Sequence, residues 1–119
     1  MKKLIVATIV AAFAGGVSQA APKVTYEEHV LPIFRNSCLR CHNPDKAKGG
    51  LDLSSYPNML KGGSSGGAVE PGNPDGSLLY KLVSHQEEPF MPHKKDKLAD
   101  AQVALVAKWI TGGLLETKS

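Results

Sequence analysis

The middle of this chain is interrupted too often for a regular sheet or a long helix. Residues 43–92 hold 8 Gly and 6 Pro in 50 positions. Proline removes a backbone donor, and glycine weakens helix and strand interiors alike. No period-two alternation lasts long enough there to propose a sheet. A loop-rich stretch of this length in one small domain does not pack on itself. Something other than regular secondary structure has to organise it. The whole chain has 119 residues, 42% hydrophobic and 21% charged, with a formal charge of +3. That allows one small domain, too apolar for a disordered chain and too weakly charged for one dominated by nucleic acid. There is no internal repeat and no second domain.

The first 20 residues do not belong to that domain. Met1 is followed by Lys2 and Lys3, an apolar run from Leu4 to Val17, and then Ser18-Gln19-Ala20. A positive start, an apolar stretch and a small-x-small site describe a secretory signal. The run is shorter than the ~20 residues of a membrane span, and no cysteine at the cleavage point offers lipid attachment. The expectation is a cleaved signal over 1–20 and a single domain over 21–119, an uncleaved anchor being the alternative. Cleavage removes two of 14 basic residues and none of the 11 acidic ones, leaving +1. Nucleic-acid binding then loses its electrostatic support. The expected location is the periplasm or an equivalent exported compartment, with no stable membrane insertion after cleavage. Six aromatics remain, Tyr26, Phe34, Tyr56, Tyr80, Phe90 and Trp109. A core this small benefits from a bound cofactor.

Helix signals lie mainly at the ends. Thr25 and Glu28 have capping-box spacing, and Tyr26, Val30, Ile33 and Phe34 follow at helical intervals. Pro32 inside that run should kink the helix or delay its start. Asp100 is a candidate N-cap for a helix over 101–111 with an apolar stripe of Val103, Val106, Trp109 and Ile110, stopped by Gly112-Gly113. A short helix after Ser77 would turn Leu78, Leu79 and Leu82 inward. Another turn near Ser54–Pro57 would carry Met59 and Leu60. The run Lys61–Gly67 reads as a flexible loop and lacks the Gly-Lys-Ser/Thr ending of a phosphate loop.

The chemistry is concentrated in Cys38-Leu39-Arg40-Cys41-His42, a C-x-x-C-H motif in an exported chain. This pattern reads as c-type haem attachment. Two cysteines three apart on a helical turn can each add to one haem vinyl group. The adjacent histidine can then come under the iron as proximal ligand. Three readings compete. A dithiol oxidoreductase would need a surrounding βαβ pattern, zinc would need a second ligand pair, and a plain disulfide would leave His42 without a role. A covalent haem also supplies the core that the loop-rich middle lacks. For the sixth ligand, Met91 stands between Pro89 and Pro92 in a stiff segment 49 residues after His42. Met59 reads as core filler. His85 and His93 are the remaining candidates and would give bis-histidine ligation. His29 reads as lying on the exposed or haem-edge side of the first helix, with packing or capping as the plainer role. Lys94, Lys95 and Lys97 form either a positive rim that steers an acidic partner or a solvated loop. The interrupting Asp96 and the low net charge favour the loop.

A family resemblance then emerges. Pro32-Ile33-Phe34 leads into C-x-x-C-H, followed by Gly-Gly-Leu-Asp-Leu (49–53), Lys-Gly-Gly (61–63) and Pro-Gly-x-Pro (71–74). Ser-Leu-Leu (77–79), Met-Pro (91–92) and Trp-Ile-x-x-Gly (109–113) complete the order. Over nearly all of 24–115 the chain resembles the planctomycete-type cytochrome c domain, a member of the cytochrome c superfamily. The resemblance implies an all-α, cytochrome c-like fold with a loop-rich middle wrapped around one covalent haem c. It implies thioether bonds at Cys38 and Cys41, His42 as proximal and Met91 as distal iron ligand, and a terminal helix with Trp109 crossing the first helix. The family usually has a second proline after the methionine. His93 stands there instead, a titratable ring near the distal side.

The expected function is electron transfer by a soluble monohaem carrier with redox partner proteins and no catalytic residues. Leu51, Leu53, Phe34, Phe90, Leu78 and Trp109 are the candidate haem-pocket walls. The alternative is a small-ligand sensor or peroxidase-like enzyme with an open distal site, where His93 with Glu87 or Glu88 is the one available acid–base pair.

Overall fold

The computed structural model of the chain describes residues 23–118, so the expected signal segment lies outside the described residues. The order of elements is a π-turn at Tyr26–Val30 running into α1 (Leu31–Ser37), then α2 (Tyr56–Lys61), α3 (Leu78–Val83) and α4 (Asp100–Thr111). Among the described residues the regular structure is helical, with one isolated antiparallel bridge between Gly63 and Gly66. The expected all-α class is observed.

The first helix starts as its sequence requires. Thr25 Oγ1 accepts the Glu28 N–H at 3.2 Å. The return bond comes from His29 rather than Glu28: its Nδ1 accepts the Thr25 N–H at 3.0 Å. Glu28 instead pairs with Lys118 at 3.5 Å. Pro32 has no N–H, and its ring would collide with the carbonyl four residues back. The turn before it widens to π geometry, with Leu31 N–H bonded to the Tyr26 carbonyl, and the α-helix resumes with proline in its first turn.

At the other end α4 begins one residue earlier than expected. Ala99 takes the N-cap position, and its N–H donates to Gln102 Oε1 at 3.2 Å. The stop lies where the glycines predicted it. Gly113 is left-handed at φ 97. Its N–H bonds the Ile110 carbonyl at 3.0 Å and the Leu114 N–H bonds the Trp109 carbonyl at 3.0 Å. This Schellman pair reverses the chain and returns residues 114–116 to the first turn. There Tyr26 N–H donates to the Leu115 carbonyl at 2.7 Å. Tyr56 Oη donates to the Leu114 carbonyl at 2.6 Å and Trp109 Nε1 to the Leu115 carbonyl at 3.0 Å.

The core forms around these contacts. Tyr26 meets Tyr56 at 5.4 Å, Phe34 at 6.2 Å and Trp109 at 6.3 Å, and Phe34 meets Trp109 edge-on at 6.4 Å. Such tilted and edge-to-face pairs are favourable beyond their buried area. Trp109, Phe34 and Met59 are fully buried here. Ser55 caps α2 by accepting the Asn58 N–H at 3.3 Å and so turns Met59 inward, while Leu60 faces out.

The Lys61–Gly67 run is more ordered than its composition suggests. Gly63 and Gly66 exchange backbone hydrogen bonds at 3.0 Å, and the Ser64 N–H donates to the Gly49 carbonyl at 2.7 Å. Gly62 sits at φ 76 with the Gly66 carbonyl where a Cβ would go.

Two outcomes test this packing. Trp109→Ala should cost about 3–5 kcal/mol of unfolding free energy, the usual range for emptying a core aromatic site. A loss below about 1 kcal/mol in a denaturant titration would contradict the aromatic core. Gly62→Ala should destabilise by more than about 1 kcal/mol because both φ and space exclude the methyl group. An unchanged midpoint would mean that the loop is as loose as its composition.

Candidate haem site

The C-x-x-C-H residues continue α1 as a helical turn. Cys38 N–H bonds the Phe34 carbonyl at 2.8 Å, and the Cys41 and His42 N–H groups bond the Cys38 carbonyl at 3.2 and 3.0 Å. The turn therefore hangs from the aromatic core through Phe34. Its other side is tied to the segment 51–53. The Leu53 N–H donates to the His42 carbonyl at 2.9 Å, and His42 Nδ1 lies 3.2 Å from the Leu51 carbonyl oxygen. A carbonyl only accepts, so Nδ1 carries the proton and Nε2 keeps its lone pair for a metal. The Leu53 carbonyl in turn accepts from Tyr26 Oη at 3.0 Å.

These segments enclose a cavity of about 1070 Å³. That is at the upper end of the range for cofactor sites, ~300–1,000 Å³. One wall is the motif, with Cys38, Cys41 and His42. Leu51, Leu53, the 63–68 turn and Ala68 make the next. Leu78, Leu79, Leu82 and Val83 of α3 follow, and the 88–96 loop closes it with Met91, Pro92 and His93. The lining is mainly aliphatic, with charge at the rim on Arg35, Arg40, Lys48, Glu88, Lys95 and Asp96.

The residues fit a haem. Two thiols on one helical turn, an imidazole with a free Nε2, a thioether and an apolar wall surround one cavity of cofactor size. Other uses of the cysteines fit less well. Burial pushes the Cys38 thiol up to about 11, with Cys41 adding to the rise. A redox dithiol needs a lowered thiol instead. Among the described residues no group of three or more His, Cys, Asp and Glu is placed to hold a metal ion.

The remaining candidates separate by position. Met59 is fully buried in the core and is not among the side chains lining the cavity, whereas half-buried Met91 is. His93 is exposed at the cavity rim. His85 lies behind the wall, its Nε2 3.0 Å from the Met91 carbonyl oxygen. His29 is a capping residue. Glu87 faces Lys81 at 3.9 Å, and Glu88 is exposed, so the described residues offer no buried acid–base pair with His93.

Three of the expected pocket walls are misplaced. Leu51, Leu53 and Leu78 line the cavity, but Phe34 and Trp109 pack on each other in the aromatic core. Phe90 points outward, 44% exposed, and stacks on His85. Periodicity marks a residue as apolar and inward without saying which of two neighbouring interiors it enters. The lining residues missed were Leu79, Leu82 and Val83 as a group, together with Ala68. The three-to-four spacing in Leu78–Val83 was the available signal, because a short helix presents one whole face to a cofactor.

Residues 38–95 match the family model described as Planctomycete cytochrome C. No curated protein and no solved structure matches the chain. The matched stretch runs from the first cysteine of the motif through the Met91 loop, that is, over the walls of the cavity. The match covers just under half of the chain and supports a planctomycete-type cytochrome c domain, which would imply haem c as its cofactor.

Proposed function

We propose that the protein is an exported monohaem electron carrier. In this reading Cys38 and Cys41 would hold haem c through thioethers, and His42 and Met91 would ligate its iron. The observation that carries it is an apolar cavity lined at once by both cysteines, by His42 and by Met91. When bound, haem supplies a one-electron Fe(III)/Fe(II) couple. The protein's part is positioning and tuning. The Leu51 carbonyl fixes the ring of His42 and raises its basicity. The Met91 thioether favours the reduced state and a higher potential. The aliphatic walls would limit the access of water to the site and so help to set its potential.

Export rests on the Lys2-Lys3, apolar and Ser-Gln-Ala pattern of residues 1–20. Among the described residues no helix is long and apolar enough to cross a membrane. The partners are redox proteins that approach the cavity rim, where Arg35, Arg40, Lys48 and Lys95 stand against Glu88 and Asp96. This balance suits a partner with an acidic face.

Cys38→Ala or Cys41→Ala should leave little holoprotein after expression in a host that attaches haem c. A fully folded variant without haem would count against the cofactor as the organiser of residues 43–92. Met91→Ala should open the sixth position, admit CO to the ferrous protein and lower the potential by more than about 59 mV, a tenfold change for one electron. If the variant keeps the potential of the parent in a redox titration, the sixth ligand is another residue. CO binding by the unmodified protein would favour the sensor or peroxidase reading.

A further inference from the structure

We propose that His85 is a positioning residue for the Met91 thioether: the distal side is held closed by an imidazole that does not itself line the cavity. The inference rests on Met91 as the sixth ligand. Both backbone groups of Met91 are tied to the end of α3. Its N–H donates to the Leu82 carbonyl at 3.1 Å, and its carbonyl accepts from His85 Nε2 at 3.0 Å. The acceptor is a carbonyl, so this nitrogen carries the proton and the neutral ring suffices. Among the described residues no other side chain hydrogen-bonds the backbone of residues 88–92.

Two features that otherwise have no use converge on this bond. His85 follows the C-cap of α3 at φ 60, a left-handed position that glycine occupies more readily. From there the imidazole reaches six residues forward. Phe90, exposed and outside the core, lies parallel to the ring at 4.8 Å with 12° between planes. The stack restricts rotation of the imidazole and keeps its donor on Met91. Without the bond the segment between Glu88 and Pro92 keeps one tether to α3, and Met91 yields more easily to a competing ligand.

The test is imidazole binding to the ferric holoprotein, read together with its sulfur-to-iron absorption band. His85→Ala should tighten imidazole binding at least fivefold and weaken the band. His85→Gln carries a Cβ at the same φ, so backbone strain is equal, but it restores a side-chain N–H. It should return to within twofold of the parent. Phe90→Ala should fall between them. Equal affinity in His85→Ala and the parent, or a His85→Gln no better than His85→Ala, overturns the proposal. If His85→Ala fails to load haem, Phe90→Ala decides, because unchanged imidazole binding there has the same consequence. A parent protein without the sulfur-to-iron band overturns the ligand assignment and this inference with it, whereas a parent band indifferent to His85 overturns the inference alone.

Discussion

His42 is held by two hydrogen bonds to one short segment, its ring Nδ1 on the Leu51 carbonyl and its own carbonyl on the Leu53 N–H. The rest of the site depends on that double contact. It sets the tautomer that leaves Nε2 free, and it fixes the 51–53 segment as a cavity wall. It also passes the constraint inward, because the Leu53 carbonyl takes the Tyr26 hydroxyl and Tyr26 is the hub of the aromatic core. A helical turn of five residues is thus braced from both sides, by the Phe34 carbonyl at its start and by residues 51–53 at its end.

The domain has two interiors with different chemistry. One is closed by protein alone: the π-turn, α1, α2, α4 and the returning 114–116 segment pack Tyr26, Phe34, Met59 and Trp109 together. The other is the aliphatic cavity, whose walls come mostly from loops and from the face of α3. Leu53, Ala68, Leu79 and Val83 are already buried, so a flat apolar cofactor would chiefly cover the half-buried Leu51, Leu78, Leu82 and Met91. The glycine- and proline-rich middle is compatible with a stable fold on these terms. Its turns line one side of the cavity and also pack on one another, as Ser64 does on Gly49.

Much of this was legible in the chain. The end helices, the Thr25 cap and the glycine stop rest on local rules, and the C-x-x-C-H turn is short enough for geometry to be read from spacing, whereas the cap of α4 falls on Ala99 instead of Asp100. The placement of Met91 on the cavity and of Met59 in the core was legible too, because prolines on both sides make a presented segment and a helical turn makes a buried one. The assignment of aromatics to the two interiors was not. Phe34 and Trp109 carry the same apolar periodicity whether they face a cofactor or each other, and only the return of Leu115 across the first turn decides it. His29 was legible only as one of two roles, and His85 was opaque. Each acts through a hydrogen bond to backbone, one locally and one across a loop, and residue type alone does not distinguish them. The Lys61–Gly67 turn was misjudged because glycine composition suggests freedom, whereas here it permits a close approach to Gly49.

Whether His42 and Met91 hold one iron between them is read from absorption spectra of the purified protein, ferric and then ferrous with CO added last. If they do, the ferrous protein shows sharp six-coordinate bands, the ferric form has a weak sulfur-to-iron band in the far red, and CO causes no change. A five-coordinate or CO-reactive spectrum would contradict the ligand pair, and a protein without haem bands would contradict the reading of the cavity itself.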